Sequence, residues 1–508
     1  MEILQAINPI TGDVIEEYQR SHPEEVTKAV INSRRSFENW KKISIDKRIK
    51  YLKAIRNNIM DHLDEYATIV SEDTGKVLTE SLMSDILPTL EFIRYYEKNT
   101  ENFLKPKKRD TPFGFQGGKS SITYQPLGVI GIISPWNFPF QLSMIPLITA
   151  LAAGNTVVIK ASNETPTIGA LIERIMIEAG LPQGVVQVVQ GGRDVVSALI
   201  EAKPNKIFFT GSVSTGKKIM EQASKHLIPV ELELGGKDPM IVLKDANIDR
   251  AVEGAMYGGF ANTGQVCISV ERLYLQESIA EEFIKKLKYR VNKLNIGPGK
   301  NDDIGAMTTS DQILHVQKQI HNAVKMGARL ETPIKIEKNF FHPVILTEAT
   351  HDMEIMTEET FGPVLPIMTF QTPEEGIRLA NDSDYGLNAS IWTKDTKLGE
   401  KIAKELITGN VMINDVLKNV GNPDLPFGGT KNSGIGKYHG PEGLYNFSLE
   451  TSVMVNKGKN NKEVNWFPYS EEKYEGLKEL LKTLNEDQNI IKKGGALLKV
   501  AKRLKKMN

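Results

Sequence analysis

The stretch SSITYQPLGVIGIISPWNFPFQLSMIPLITALAAGNTVVI, residues 120–159, contains no charged residue. A run this apolar invites reading as a membrane span. Pro126, Pro135, Pro139 and Pro146 break it up, since each proline removes a backbone donor and fixes φ. A spanning helix needs about 20 mostly apolar residues without such interruption. Asn137 and Asn155 add polar groups within the run. The reading that fits is a buried strand, a proline-bracketed turn, a short buried helix and a second buried strand.

The same alternation continues outward. LGVIGIIS (127–134), NTVVIKAS (155–162), GVVQVVQG (184–191) and NKIFFTGS (205–212) are short Val- and Ile-rich runs. Helical patterns separate them, such as TIGALIERIMIEAG, which stops at Gly180. A second series follows Gly236, with ERLYLQ (271–276) and PVLPIMTF (363–370) among further helical stretches. Strand–helix–strand spacing of this kind predicts parallel pairing and an α/β layered fold. Upstream, residues 23–104 read as helical. Pro23 and two glutamates open the first helix, and Gly75 closes a run with apolar residues at helical spacing. Downstream, EEKYEGLKELLKTLNEDQ (471–488) is a charged helical pattern. The end, IIKKGGALLKVAKRLKKMN (490–508), holds seven basic residues and no acidic one.

Composition narrows the function. The chain has 508 residues, long enough for two to four domains at roughly 100–200 residues each, and 63 basic residues balance 63 acidic ones. No global field favours nucleic acid. The single cysteine, Cys267, excludes an intrachain disulfide framework and a multi-cysteine zinc site. The start, MEILQAINPITGD, lacks the basic and apolar regions of a signal peptide. The expected location is the cytoplasm, and no metal is expected.

Four segments carry groups suited to chemistry, each with an ordinary reading beside it. Cys267 in GFANTGQVCISVERL (259–273) is a nucleophile or a small buried filler. Glu233 in PVELELGGKDP (229–239) sits where a strand meets Gly235–Gly236; desolvation there suits a general base, and a satisfied strand-end carboxylate fits as well. FFTGSVSTGKKI (208–219) turns from strand to helix through glycines, as a phosphate cradle does and as many tight turns do. It lacks the full dinucleotide and P-loop signatures. In SPWNFP (134–139) two prolines fix the backbone around Asn137, which is then an oxyanion donor or a turn residue.

Taken together in order, PWNFP, TVVIKAS, FTGSVSTG, LELGGK, GQVC, EETFGPV and LPFGG resemble the NAD(P)-dependent aldehyde dehydrogenase superfamily, and the similarity runs from about residue 8 to about 455. The resemblance implies a Rossmann-like cofactor domain (1–107 and 126–234), an α/β catalytic domain (235–432), a small β oligomerisation element (108–125 and 433–457) and a basic helical tail (458–508). It implies oxidation of an aldehyde to the acid with NAD or NADP, in a homodimer or homotetramer. Cys267 takes the nucleophile's place, Glu233 the base's and Asn137 the oxyanion donor's. Trp136, Lys160, Ser162, Asn163, Gly211, Ser212, Gly216, Glu359 and Phe361 take the cofactor's.

Two departures qualify the resemblance. Many NAD-preferring members carry a glutamate three residues after the lysine; here Asn163 stands there and Glu164 follows, so NADP is expected to be accepted. The YHG at 438–440 and the following FS resemble the branch that handles fatty and aromatic aldehydes, which implies a hydrophobic substrate. The alternatives are a semialdehyde or other small polar aldehyde, or a non-catalytic binding protein on the same fold. In the tail, Leu497, Val500, Ala501, Leu504 and Met507 form one helical stripe among basic residues. That stripe reads either as a peripheral membrane contact or as a helix packing on its own subunit.

Overall fold

The computed structural model describes residues 3–112, 118–459, 461–463, 465–485 and 495. The stripe at Leu497, Val500, Ala501, Leu504 and Met507 lies outside them. The chain divides into two compact units, one of Met1–Lys105 with Thr123–Thr451 and one of Pro106–Ile122 with Ser452–Asn508.

In the larger unit, the charge-free stretch folds as its prolines and glycine dictate. Strand Val129–Ile133 is wholly buried. Pro139 opens a helix to Ala153, every residue of which is buried, and Gly154 ends it at φ 94°. Strand Thr156–Lys160 follows, again wholly buried. Runs apolar on both faces suit the interior of a parallel sheet, which is covered by helices on each side.

That sheet has six strands. From edge to edge they are Gly434–Ile435, Val230–Glu233, Lys206–Thr210, Val129–Ile133, Thr156–Lys160 and Val186–Val189. Five run parallel, and Gly434–Ile435 closes the edge antiparallel, with Gly434 opposite Glu233. The resemblance assigned 433–457 to a small separate element. The pairing puts the first residues of that range in the main sheet instead. Gly434 makes this contact because a Cβ there would lie 2.3 Å from the Leu232 carbonyl oxygen.

A second sheet of seven strands uses the residues between. Its order is Arg329–Leu330, Val344–Thr347, Val364–Phe370, Val270–Gln276, Asp238–Val242, Asn388–Trp392 and Asn410–Ile413. Only its edge strand Arg329–Leu330 is antiparallel.

The N-terminal helices follow their caps. Pro23 starts Pro23–Trp40, Ser44 caps Ile45–Asp61 through Lys47 N, and Leu63–Thr74 stops at Gly75 with φ 81°. A widened π turn at Ser81–Ile86 then leads into Leu87–Leu104. Such turns interrupt an α-helix at sites that need a side chain re-aimed.

Most of the smaller unit's described elements form one three-stranded sheet. Its order is Ser448–Asn456, Gly118–Pro126 and Lys107–Arg109, with the first two strands running on into the larger unit. A helix at Glu471–Asn485 follows, as the charged pattern predicts. Among the described residues, no helix is long and apolar enough to cross a membrane.

Candidate active site

The six-stranded sheet reverses its winding beside Val129–Ile133. The chain steps outward through Thr156–Lys160 and Val186–Val189, then returns to Lys206–Thr210 on the other side. A crevice opens at the carboxyl ends of strands wherever winding reverses, and ligands of α/β sheets lie there. SPWN leaves Ile133 at this point and GSVS leaves Thr210. A cavity of about 290 Å³ lies between them, reaching from Gly211 and Ser212 to Cys267.

Cys267 is carried on the loop between a short turn, Ala261–Gly264, and strand Val270–Gln276. Asn262 and Thr263 both adopt left-handed backbone, φ 50° and 56°, which is strained for residues other than glycine. Hydrogen bonds hold the turn. Asn262 Nδ2 donates to the carbonyls of Asn137 (3.0 Å) and Gln265 (3.2 Å). Asn137 Nδ2 donates to the Gln265 carbonyl at 3.0 Å. That uses one N–H of the amide and leaves the other for a ligand. The PWNFP loop and the cysteine loop are therefore one hydrogen-bonded body. Burial pushes the Cys267 thiol up, and Asp238, Glu359 and Glu233 reinforce the shift.

Glu233 ends the strand Val230–Glu233 and lines the same cavity. It is 4% exposed, and neither carboxyl oxygen has a hydrogen-bond partner among the described residues. Burial raises its pKa well above the usual carboxylate range, with Glu231 adding to the shift and Lys437 opposing it. Behind it Glu231 is satisfied by Lys206, 2.8 Å away. The turn after Glu233 needs glycines for close approach. A Cβ on Gly235 would lie 2.3 Å from the Glu359 carboxylate, and one on Gly236 would lie 2.4 Å from the Cys267 carbonyl oxygen.

Glu359 accepts from Gly236 N at 3.1 Å, so EETFGPV meets LELGGK directly. Its carboxyl is raised by burial, then by Glu271. Phe361 meets Trp136 edge to face, with ring centroids 5.4 Å apart. A buried pair positions this loop: Lys237 Nζ lies 2.7 Å from Glu271 Oε2, and Glu271 accepts from the backbone N–H groups of Thr360 and Phe361. Phe361 is thereby held at φ 52°.

Of the remaining expected cofactor residues, Lys160, Ser162 and Asn163 stand at or beyond the end of Thr156–Lys160, Gly211 and Ser212 follow Lys206–Thr210, and Gly216 lies in the helix after it. Lys160 closes its strand, and burial lowers its pKa to about 8. Ser162 Oγ accepts from Glu164 N, and Asn163 Oδ1 is buried without a partner among the described residues. Ser212 caps the helix Val213–Ser224 by accepting from Thr215 N. Gly216 lies within that helix, donates to the Ser212 carbonyl, and lets the helix sit on Leu234, where a Cβ would come within 2.6 Å. Its place is in helix-on-sheet packing.

Sequence reading missed the supports. Lys76 and Asp85 form an ion pair at 2.7 Å with both side chains fully buried. Lys76 also donates to the Asn137 carbonyl at 2.7 Å. Asp85 accepts from Phe140 N and Gln141 N, the first amides of the buried helix. Gln312 Nε2 donates to the Thr360 carbonyl at 2.8 Å and lines the cleft.

Cys267 faces a second cavity as well, of about 680 Å³. Apolar side chains dominate its wall, including Met83, Leu87, Phe138, Leu142, Ile268 and Val420, and no arginine is among the described residues that line it. The thiol thus stands where two spaces meet, one at the sheet's switch point and one largely apolar.

Known proteins resemble this chain over most of its length. The aldehyde dehydrogenase family model matches residues 2–453. A 4,4'-diapolycopene aldehyde oxidase from a Methylomonas species is 43% identical over 495 residues, covering 97% of this chain and 93% of that protein. A Mycobacterium ulcerans protein named as an NADP(+) succinate-semialdehyde dehydrogenase is 34% identical over 440 residues, covering 85% and 84%. The NAD+ complex of a Bacillus cereus aldehyde dehydrogenase superposes with a TM-score of 0.86 at 34% identity, covering 90% of this chain and 94% of that one.

Proposed function

The chain belongs to the aldehyde dehydrogenase family, and from that premise we propose that it oxidises a hydrophobic aldehyde to the carboxylic acid through Cys267, with NAD or NADP as oxidant. The observation that carries the reading is the convergence of three side chains on one cleft: the Cys267 thiol, the Asn137 amide and the Glu233 carboxyl, which has no hydrogen-bond partner among the described residues. As a thiolate, Cys267 adds to the aldehyde carbon. The free N–H of Asn137 and the backbone N–H of Cys267 stabilise the oxyanion that forms. A nicotinamide cofactor, when bound, supplies the hydride acceptor for conversion of the thiohemiacetal to a thioester. Glu233 then takes a proton from water, which attacks the thioester and frees the acid. Burial raises the Glu233 pKa above the ordinary carboxylate value, which makes its ionised form a stronger base.

The residues present fit a dinucleotide. Ser134 Oγ, Asn163 Oδ1 and Thr210 Oγ1 are buried without partners among the described residues, at or just beyond the ends of three adjacent strands. The start of helix Val213–Ser224 offers unsatisfied amides suited to a pyrophosphate. Lys160 and Asn163 would meet the adenosine ribose, Gly211 and Ser212 the pyrophosphate, and Glu359, Phe361 and Trp136 the nicotinamide side. Asn163 places no carboxylate against a 2′-phosphate, so NADP is accepted as well as NAD. A hundredfold weaker binding of NADP than of NAD would refute that part.

The apolar wall of the larger cavity supports a hydrophobic aldehyde. The relative at 43% identity is named for a polyene aldehyde, which supports the same reading. The domain division at about residue 234, the oligomeric state and a membrane contact through the tail complete the proposal. The direct test is turnover by Cys267→Ala. Loss of aldehyde oxidation is expected, and oxidation at the wild-type rate would remove the mechanism.

A further inference from the structure

We propose that Glu80 is a specificity-determining residue, which keeps aldehydes bearing a second, anionic carboxylate out of the Cys267 cavity. Among the described residues, three charged side chains line that cavity: Glu80, Glu91 and Lys418. Two are balanced where they stand. Lys418 Nζ lies 2.8 Å from Asp415, and Glu91 lies 3.3 Å from Arg94. Glu80 has no ion pair among the described residues. Its Oε1 accepts from Asn262 N at 2.7 Å, while Oε2 is buried without a hydrogen-bond partner among them. It is therefore the one charged side chain of that wall without an ion pair among the described residues; the opposing charge that acts on it, Lys76, is itself paired with Asp85.

Carboxylates outnumber cations in the space beyond Glu80 as well. A neighbouring cavity of about 590 Å³ shares Glu80 and Tyr257 with the first. Asp302 and Asp303 line it with Lys300, the one cation among its described lining residues, while its Glu253 is paired with Arg290 at 2.6 Å. Burial lifts the Glu80 carboxyl to about 7, so it is ionised at mildly alkaline pH. Like charges brought together in a partly desolvated pocket repel strongly, and discrimination between substrates is built from such repulsion as much as from attraction.

Glu80 also tethers the strained turn at Asn262, so its removal alone would disturb the Cys267 loop. Glu80→Gln keeps an acceptor for Asn262 N and deletes the charge. Glu80→Asp keeps the charge. The proposal rests on the larger cavity's being the aldehyde's site. The experiment measures kcat/KM at pH 8.5 for hexanal and for adipate semialdehyde, the same chain without and with a terminal carboxylate, using the full-length protein. The wild type is expected to favour hexanal by more than tenfold. Glu80→Gln narrows that ratio about tenfold, chiefly by tightening KM for the semialdehyde, and Glu80→Asp retains it. An unchanged ratio in Glu80→Gln, including an equal loss on both substrates, overturns the proposal. A wild type inactive on both aldehydes would instead overturn the reading of the site.

Discussion

Glu233 is a residue whose protonation the fold controls by burying it. It is buried, unpartnered among the described residues and raised in pKa, so the folded state favours its neutral form. The folded protein then binds more protons than the unfolded chain above the ordinary value of 4.5. Stability is lost as pH rises from there towards the folded value. Replacing Glu233 by Gln removes that penalty, so the variant's melting temperature should gain on the wild type as pH increases. The same variant should form the acyl enzyme and fail to release it. A burst of reduced cofactor near one per chain, followed by a steady rate down by about 10²–10⁴, is the expected trace. Burst and steady rates both at wild-type level would refute Glu233 as the base. Cys267 allows a second measurement. Its thiol is raised without cofactor, and a nearby cationic ring favours the thiolate. Alkylation by iodoacetamide at pH 7.5 should therefore quicken when NAD or NADP is added, and an unchanged rate would refute that activation. The neighbours of Glu233 and Cys267, glycines and apolar strand residues, left each with an ordinary reading beside the chemical one; the ordered motifs around them made both legible as candidates. Glu80 was not, since nothing along the chain announces that it lines a cavity.

At the scale of elements, the site hangs on a buried helix and on the pair that caps it. Asp85 accepts from the first amides of Pro139–Ala153, and Lys76 joins Asp85 to the Asn137 carbonyl. Lys76 also lies 4.2 Å above the Phe138 ring. Substituting Lys76 by Met leaves a buried carboxylate without its counter-charge. The expected loss is about 3–5 kcal/mol in urea unfolding, with kcat/KM falling as Asn137 loses its support. Loss below about 1 kcal/mol would mean that the carboxylate finds another partner. The strands and helices around this point were readable from periodicity, proline and glycine. The pair was not, because Lys76 and Asp85 lie in a charged helical region whose pattern matches a solvated face. Only packing against the charge-free stretch, about 60 residues on, buries them. The edge strand Gly434–Ile435 was hidden for a related reason: two residues carry no periodicity, and the partner strand lies far upstream.

For the whole molecule, the proposed membrane contact has support beyond the basic end of the chain. Trp466, Phe467, Tyr469 and Tyr474 in the smaller unit are all more than half exposed. Aromatic rings of this kind favour the headgroup region of a bilayer, and each nearby basic residue adds about 1 kcal/mol at an anionic surface. Full-length protein should pellet with vesicles rich in anionic lipid and lose most of that binding without residues 490–508. Equal pelleting of both forms would count against the contact. The edge strand bears on how the enzyme is made. Glu233 is joined in its sheet to Gly434, about 200 residues later in the chain. At roughly 5–20 residues per second, a ribosome spends about 10–40 s between the two. Throughout that interval the strand bearing Glu233 is an open sheet edge with unpaired amides, a template for another chain. A nascent chain therefore holds Cys267, the proposed nucleophile, well before it can shield the strand of Glu233, the proposed base. Premature stops between 270 and 430 should yield chaperone-bound or insoluble fragments, not a soluble half-enzyme.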